Sequence, residues 1–136
     1  MSQAAALPRL VLVDDNPGFR LAAERFLHSL TGFALAGMAA DGAEGLRLIE
    51  RERPDAVIMD VSMPTMNGFE LAARLRALPA GPRIIMISLF MDEAMRGEAL
   101  RLGADAVLAK EDFVSGLPGV LAQVLGLAGT GPSDGR

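Results

Sequence analysis

Residues 56–70 read AVIMDVSMPTMNGFE, an apolar run that stops at an aspartate and continues into a loop containing proline and glycine. The run from Ala56 to Met59 shows no alternation of apolar and polar positions. Such a strand is typical of a parallel sheet that is covered by helices on both faces. The stretch therefore predicts a buried central strand with the carboxylate of Asp60 at its carboxyl end.

The same pattern repeats along the chain, because short apolar segments alternate with segments of helical period. The predicted strands are residues 10–13, 33–38, 56–59, 83–87 and 106–109. The predicted helices are residues 16–32, 41–53, 67–78, 92–102 and 114–125, with Asn16 and Asp92 as caps, Gly32 ending the first helix, and Ala43, Leu46 and Ile49 facing inward from the second. Five strand–helix units predict an α/β fold, a doubly wound parallel sheet between two helical layers.

Length and composition set further limits. A chain of 136 residues with 51% hydrophobic and 22% charged residues fits one globular domain and is too apolar for a disordered chain. The net charge of −4 argues against a nucleic-acid-binding surface within these residues. Without cysteines, a membrane-spanning run or a recognisable secretory signal, a cytoplasmic location is expected. Residues 1–8 are expected to form an N-terminal tail, and residues 127–136 a flexible tail or the start of a linker.

Polar side chains follow the central strands where each one ends. Asp14 and Asp15 follow the first strand, Asp60 the third, Ser88 the fourth and Lys110, the only lysine of the chain, the fifth. Taken singly, each is an ordinary turn, cap or end-of-strand residue. Because the carboxyl ends of parallel strands share one edge, the five side chains are expected to converge there.

The chemistry of such a cluster follows from its charges. Three neighbouring carboxylates repel one another by roughly 1 kcal/mol per pair in water, and by several times more near a protein surface. Oxygen ligands without histidine or cysteine suit Mg²⁺ or Mn²⁺, which relieve that repulsion. A carboxylate can act as a nucleophile and carry a phosphoryl group, whose oxygens a cation, Lys110 and the Ser88 hydroxyl would stabilise. Asp60 is therefore predicted to be the phosphoacceptor.

Four segments, VDDN, MDVSMPTMNGFE, IIMIS and GADAVLAKE, occur in an order and spacing that resemble the response regulator receiver domain of bacterial two-component signalling. The resemblance covers residues 9–126 and implies the CheY-like, flavodoxin-like (βα)5 sandwich with strand order 2-1-3-4-5. It implies that Asp60 accepts a phosphoryl group from a kinase phosphohistidine. It also implies roles for five more residues: Asp14 and Asp15, with Asp60 and the Ser62 carbonyl, as ligands of Mg²⁺, Ser88 as the switch hydroxyl, and Lys110 as the ion-pair partner of the phosphoryl group.

The resemblance also implies partners. A sensor histidine kinase or a phosphotransfer protein would donate the phosphoryl group. An output domain or partner protein would bind the face formed by the fourth helix, the fifth strand and the fifth helix, and a homodimer is also allowed. Nucleic acid would be bound only through an output domain outside these residues, and no membrane is involved. Such a domain is a signalling module and not an enzyme, beyond self-catalysed phosphotransfer and autodephosphorylation.

The sequence departs from the family pattern at three positions. Val107 stands where an aromatic residue usually reports the switch, so that coupling is expected to be weakened or routed elsewhere. Leu89, followed by Phe90, stands where a small residue is common, which is expected to restrict access to the phosphorylation site. Glu111 replaces a common proline, a form that resembles receivers of the NarL/LuxR type.

Two other readings remain open from the residues. The first is a receiver-like interaction module that functions without phosphorylation. Val107 and Leu89 favour it, and the intact set of three aspartates, Ser88 and Lys110 argues against it. The second is an aspartate-nucleophile phosphatase of the haloacid dehalogenase type. That class requires an acid two positions after the nucleophile, where this chain has Ser62, and it usually carries a cap domain.

Overall fold

The computed structural model describes residues 7–126, so the expected tails lie outside the described residues, except for positions 7 and 8. Within this range five strands alternate with five helices. The strands are β1 Arg9–Val13, β2 Ala34–Ala39, β3 Ala56–Asp60, β4 Arg83–Ser88 and β5 Ala106–Ala109. The helices are α1 Pro17–His28, α2 Gly42–Glu52, α3 Gly68–Arg76, α4 Glu93–Arg101 and α5 Phe113–Leu125, and a short 3₁₀ turn at Lys110–Asp112 precedes α5.

The strands form one parallel sheet in the order β2-β1-β3-β4-β5, as predicted. The register brings the strand ends into line, since Val13 pairs with Met59, Asp60 with Ile87, and the following residue of β4 with the last residue of β5. The polar residues that end β3 and β4 and those that follow β1 and β5 therefore meet at a single edge. Within residues 7–126, none of the helices has the length and apolar character needed to cross a bilayer.

The core consists of two layers, one on each face of the sheet. Alternate strand residues face opposite layers, which explains why the strands are apolar at every position. One layer packs the strands against α2, α3 and α4 through Leu48, Ile49, Leu71, Leu75 and Ala99. The other packs them against α1 and α5 through Ala23, Leu27, Leu117 and Leu121. The predicted three-layer sandwich is confirmed.

Side-chain caps start four of the helices. Asn16 accepts a hydrogen bond from the backbone N–H of Phe19 at 2.9 Å, and Asp92 accepts one from Met95 at 2.8 Å, so both predicted caps are confirmed. Asp41 and Asn67 play the same part for α2 and α3. A cap of this kind satisfies backbone donors that have no partner within the helix, and it fixes where the helix leaves the strand edge.

The predicted end of the first helix is wrong. The helix ends at His28, and the backbone N–H of Ser29 bonds to Phe26 at 3.0 Å in a tighter turn. Leu30 is buried from this turn and extends the apolar pattern past the helix. Gly32, predicted as the terminator, adopts a φ of 102° in the connection to β2.

The predicted inward face of the second helix is also partly wrong. Ile49 is buried and the half-buried Leu46 packs against the same core layer, as expected, but the half-buried Ala43 is not part of that layer. Gly45 faces the sheet together with Leu48, and Gly42 lies against Met66 in the loop after β3. A Cβ on Gly45 would lie 2.9 Å from the methyl groups of Val13, so the helix packs too closely for a side chain.

Candidate functional site

Backbone hydrogen bonds hold the chain in place where β3 ends at Asp60. The N–H of Val61 bonds to the Ile87 carbonyl of β4 at 2.9 Å, and the N–H of Gly68 bonds back to the Val61 carbonyl at 2.8 Å. A Cβ on Gly68 would lie 2.5 Å from the Asp60 carbonyl oxygen, which explains why glycine stands there. The N–H of Ser62 donates to Asp60 Oδ1 at 2.9 Å, so the loop also orients the carboxylate.

The acid pair after β1 faces Asp60 from the neighbouring strand. Carboxylate oxygens of Asp14, Asp15 and Asp60 lie within 4.8 Å of one another. Asp14 is fully buried, Asp60 is 4% exposed, and Asp15 is exposed. The N–H of Asn16 donates to Asp14 Oδ1 at 2.9 Å, and the Asp14 carbonyl accepts a bond from Arg20 at 2.6 Å. The sequence prediction that these acids cluster at the sheet edge matches the geometry.

Lys110 joins two of the three acids. Its Nζ lies 2.7 Å from Asp14 Oδ2 and 2.8 Å from Asp60 Oδ2, and its side chain is only 7% exposed. The same Nζ lies over the ring of Phe19, 4.4 Å from the centroid. The ammonium therefore bridges β1 and β3, and helix α1 covers it.

Burial and charge act in opposite directions on these groups. Burial raises the pKa of Asp60, and the nearby charge of Asp14 adds to this, while the contacts from Lys110 and the Ser62 N–H oppose it. Burial also acts to lower the pKa of Lys110, but its short contacts with Asp14 and Asp60 outweigh that effect and raise the pKa. Lys110 is therefore held in its charged form, whereas ionised Asp60 is disfavoured relative to water.

The residues fit a hard divalent cation. Asp14 Oδ2 is buried, and the Lys110 ammonium 2.7 Å away is its polar neighbour within the described range. Three carboxylates with one ammonium leave an excess of negative charge. An all-oxygen set of this kind is the donor chemistry that Mg²⁺ prefers. The exposed Asp15 also lines an open groove of about 590 Å³ that is shared with Ser62 and Asn67.

A second cavity lies on the β4 side of Asp60. It has a volume of about 270 Å³ and is lined by Asp60, Ser62, Ser88, Leu89, Phe90 and Met95. The Ser88 hydroxyl donates to the Phe90 carbonyl at 2.9 Å. Leu89 and Phe90 are 82% and 69% exposed on the rim. Ser88 thus shares a cavity with Asp60, while its hydroxyl hydrogen is bonded to the adjoining loop.

Of the other two residues that depart from the family pattern, Val107 lies in the core and Glu111 lies at the surface. Val107 is 7% exposed and belongs to the core layer beneath α2, α3 and α4. Its carbonyl lies 3.5 Å from an Arg96 nitrogen, a long contact that links β5 to α4. Glu111 lies within the 3₁₀ turn and is exposed. An aliphatic residue thus fills the position where the family pattern has an aromatic ring.

Sequence reasoning missed two residues of α1 that contact the site. Arg20 donates to the Asp14 carbonyl, and Phe19 lies over Lys110. Both follow the acid pair within the first turn of a helix with a clear start signal at Asn16 and Pro17. That position was the available signal, because the first turn of a helix that follows a strand end stays close to that end.

The chain is similar to known proteins in both sequence and fold. The family model described as the response regulator receiver domain matches residues 10–115. A putative transcriptional regulator of Pseudomonas aeruginosa is 32% identical over 123 residues, covering 90% of this chain and 58% of that protein. The nitrate/nitrite response regulator protein NarL of Escherichia coli K12 is 32% identical over 102 residues, covering 75% and 47%. The chain spans about half the length of the curated relatives it matches.

Solved structures give the same picture. The signal receiver domain of the putative response regulator NarL from Mycobacterium tuberculosis superposes with a TM-score of 0.78 at 33% identity, covering 90% of this chain and 99% of that one. A two-component response regulator of the LuxR family from Aurantimonas has a TM-score of 0.77 at 28% identity, covering 87% of each chain. The response regulator domain of Thermotoga maritima CheB has a TM-score of 0.81 at 26% identity, covering 90% and 98%.

Proposed function

The chain belongs to the family of response regulator receiver domains, and we propose that it signals by accepting a phosphoryl group on Asp60. Receiver domains are signalling domains of two-component systems, which work with histidine kinases and output domains. The observation that carries the proposal is the contact between Asp60 and Lys110, whose Nζ lies 2.8 Å from Oδ2. A fixed ammonium beside a buried carboxylate is suited to stabilising a phosphoryl group bound to that carboxylate.

The transfer follows from the placement of the Asp60 carboxylate. One carboxylate oxygen attacks the phosphorus of a phosphohistidine; the O–P bond forms as the P–N bond breaks, and the leaving imidazole takes up a proton from solvent. Ser62 holds Oδ1 through its N–H, which fixes the plane of the carboxylate. Lys110 then exchanges its contact with Oδ2 for one with a phosphoryl oxygen. The rigid strand end supplies the orientation that this reaction needs.

The metal would be held by Asp14, Asp15, Asp60 and the Ser62 carbonyl, and Mg²⁺ or Mn²⁺ bound there would supply charge neutralisation for the phosphoryl oxygens. Asp14 would contribute its buried Oδ2, which lies 2.7 Å from Lys110. Ser88 would act as the switch hydroxyl, which requires its hydrogen to leave the Phe90 carbonyl. That exchange couples the state of Asp60 to the loop after β4.

The donor and the output are proposed from the relatives. A sensor histidine kinase or a phosphotransfer protein would donate the phosphoryl group. Several relatives are described as transcriptional regulators, and this chain spans about half of their length. An output domain, a partner protein or a second copy of the chain would read the phosphorylated state on the face formed by α4, β5 and α5.

Beryllofluoride, which mimics a phosphoryl group on a carboxylate, tests the proposal. Thermal unfolding of the wild type with Mg²⁺ and beryllofluoride is expected to shift upward, since a ligand that binds only the folded state stabilises it. The Asp60→Asn variant should show no beryllofluoride shift. If neither protein responds, Asp60 is not a phosphoacceptor. Phosphorylation of the wild type by a kinase, with loss in Asp60→Asn, would identify the donor directly.

The exposed loop after β4 favours a second candidate, a receiver-like module that binds its partner without phosphorylation. Leu89 and Phe90 present large apolar side chains to solvent next to the site. Val107 also lacks the ring that would report a switch. Partner binding of equal affinity to wild type and Asp60→Asn, with no beryllofluoride response, would favour this candidate.

A further inference from the structure

We propose that Phe19 is a positioning residue for phosphoryl transfer, whose ring holds the Lys110 ammonium against the two carboxylates and excludes water from its remaining side. The inference rests on the proposed function of Asp60. It concerns a residue of α1 that makes no contact with the phosphoryl group itself, and so acts through Lys110.

Three groups surround the ammonium. Asp14 and Asp60 lie 2.7 and 2.8 Å away through their Oδ2 atoms, and the face of the Phe19 ring lies 4.4 Å away at its centroid. A cation within about 6 Å of a ring centroid is attracted by the negative face of the ring. The ring therefore completes the enclosure that leaves the Lys110 side chain only 7% exposed.

The orientation of the ring is fixed by α5. The ring of Phe113 meets Phe19 edge to face, with centroids 5.2 Å apart and planes at 71°. Phe113 is 3% exposed and also packs against Phe26 of α1, with centroids 5.9 Å apart. Phe113 is the first residue of α5, directly after the 3₁₀ turn that begins at Lys110. The lysine therefore lies at the start of this turn, and the ring that supports its aromatic cover lies directly after the turn.

A ring face suits this place better than a polar group. It attracts the ammonium without accepting a strong hydrogen bond, so the N–H groups of Lys110 stay free to turn from Asp60 to a phosphoryl oxygen. Water or a polar side chain in the same position would compete for them. A leucine would fill much of the volume but would lack the negative face. A leucine variant therefore separates the electrostatic contribution of the ring from the contribution of packing.

The single lysine of the chain makes the test unambiguous. Labelling with ¹³C,¹⁵N-lysine gives one set of side-chain NMR signals, those of Lys110. Three variants form the comparison: Phe19→Leu removes the ring, Phe19→Tyr keeps it, and Phe26→Leu makes the same change on the same helix against the same neighbour, Phe113. The wild type, Phe19→Tyr and Phe26→Leu should all show ε-methylene protons displaced upfield by the ring, and Phe19→Leu should lose that displacement.

The second measurement is the affinity for beryllofluoride in the presence of Mg²⁺, together with the rate of phosphorylation. Phe19→Leu is expected to lower both by about two- to fivefold, the range of an ordinary cation–π contact, and Phe19→Tyr should restore them. Phe26→Leu, although it also loosens the packing on Phe113, should leave both close to wild type.

The possible results separate the inference from the proposed function. Equal losses in Phe19→Leu and Phe26→Leu would reduce Phe19 to a packing residue, and unchanged Lys110 signals in Phe19→Leu would show that there is no ring contact. Either result overturns the inference while Asp60 remains the phosphoacceptor. A wild type that binds no beryllofluoride overturns the proposed function, and with it any reaction role for Phe19, whatever the Lys110 signals show.

Discussion

Lys110 lies 2.7 Å from Asp14, a carboxylate with no exposed surface. The lysine comes from the end of β5 and the aspartate from the end of β1, two strands that are separated in the sheet by β3 and β4. A buried carboxylate is costly unless an opposite charge or a metal compensates it. The ion pair therefore spans the sheet edge, and it links the stability of the fold to the charge state of the site.

Replacing Lys110 should reveal the loss of stability caused by burying Asp14 without an opposite charge. In Lys110→Met, Asp14 and Asp60 keep their burial but lose their cation, and the expected loss of stability is about 3 kcal/mol, near the lower end for a broken buried ion pair because the site edge is open to solvent. Urea unfolding measures it. Mg²⁺ should recover more stability in the variant than in the wild type. A variant as stable as the wild type without Mg²⁺ would show that Lys110 does not compensate these carboxylates.

The stability contributed by Asp60 should depend on pH. Burial raises the pKa of Asp60 above the ordinary 3.8, so the folded state holds the proton more firmly than the unfolded state. This contribution is complete below about 3.8 and is lost as the pH rises through the folded pKa. Asp60→Asn, which does not ionise, should therefore be more stable than the wild type at neutral pH.

The difference between Asp60→Asn and wild type should shrink as the pH falls toward the unfolded pKa. Urea titrations at several pH values in metal-free buffer check this, since a bound cation would favour the ionised carboxylate. An Asp60→Asn protein that is less stable than the wild type at neutral pH would contradict the direction of the shift.

The tight packing after β3 can be tested at Gly68, with Gly97 of α4 as the control. In Gly68→Ala the new Cβ would lie 2.5 Å from the Asp60 carbonyl oxygen, a backbone atom, and overpacking of this kind costs roughly 1–3 kcal/mol. The displaced strand end should also weaken beryllofluoride binding. Gly97 lies on an exposed face of α4, where a new Cβ would meet no described atom within 4 Å apart from its chain neighbours and the nearby backbone of its own helix. Gly97→Ala should therefore stabilise the protein by up to about 1 kcal/mol. Chemical unfolding of both variants measures the two changes in stability. A Gly68→Ala variant as stable as Gly97→Ala would contradict the expected overpacking.

The rim of the β4-side cavity should control how long the phosphoryl group lasts. Leu89 and Phe90 line the cavity that contains Asp60. Removing both side chains in Leu89→Ala/Phe90→Ala should admit water and small phosphodonors, and a severalfold faster decay of the phosphorylated protein is expected. Leu100→Ala removes an exposed leucine that does not line this cavity, and it should leave the decay unchanged. Equal decay in all three proteins would show that the rim does not limit access.

The sequence predicted the strands and the fold well because each central strand is apolar on both faces and ends at a polar residue. Helix limits were harder to predict. Leu30 continues the apolar spacing of α1 although it lies in a turn beyond the helix. In α2, the spacing of large apolar side chains was used to predict the inward face. Close contact with Val13, however, requires that position 45 carry no side chain, and glycine stands there. Close packing favours small residues, and a pattern of large hydrophobic residues does not predict where they lie.

The acids, Ser88 and Lys110 could be predicted to share one edge because strand ends in a parallel sheet meet there. Their pairing could not be predicted. That Lys110 contacts Asp14 as well as Asp60 depends on the register of four strands and on the reach of a flexible side chain. The position of Phe19 over the ammonium depends on the direction in which α1 leaves β1, which is set by packing against α5.

The double fastening of the strand end at Asp60 has a consequence for how the domain moves. The N–H of Val61 is bonded to Ile87 of β4 and the N–H of Gly68 to Val61. Helix α2 packs against the same loop, where a Cβ on Gly42 would lie 2.5 Å from the Met66 carbonyl oxygen. Hydrogen bonds and close packing of this kind oppose local opening, so this half of the site is expected to be the more rigid. Motions that follow a change at Asp60 are therefore expected in the segments after β4 and β5, where the Ser88 hydroxyl is bonded to the adjoining loop.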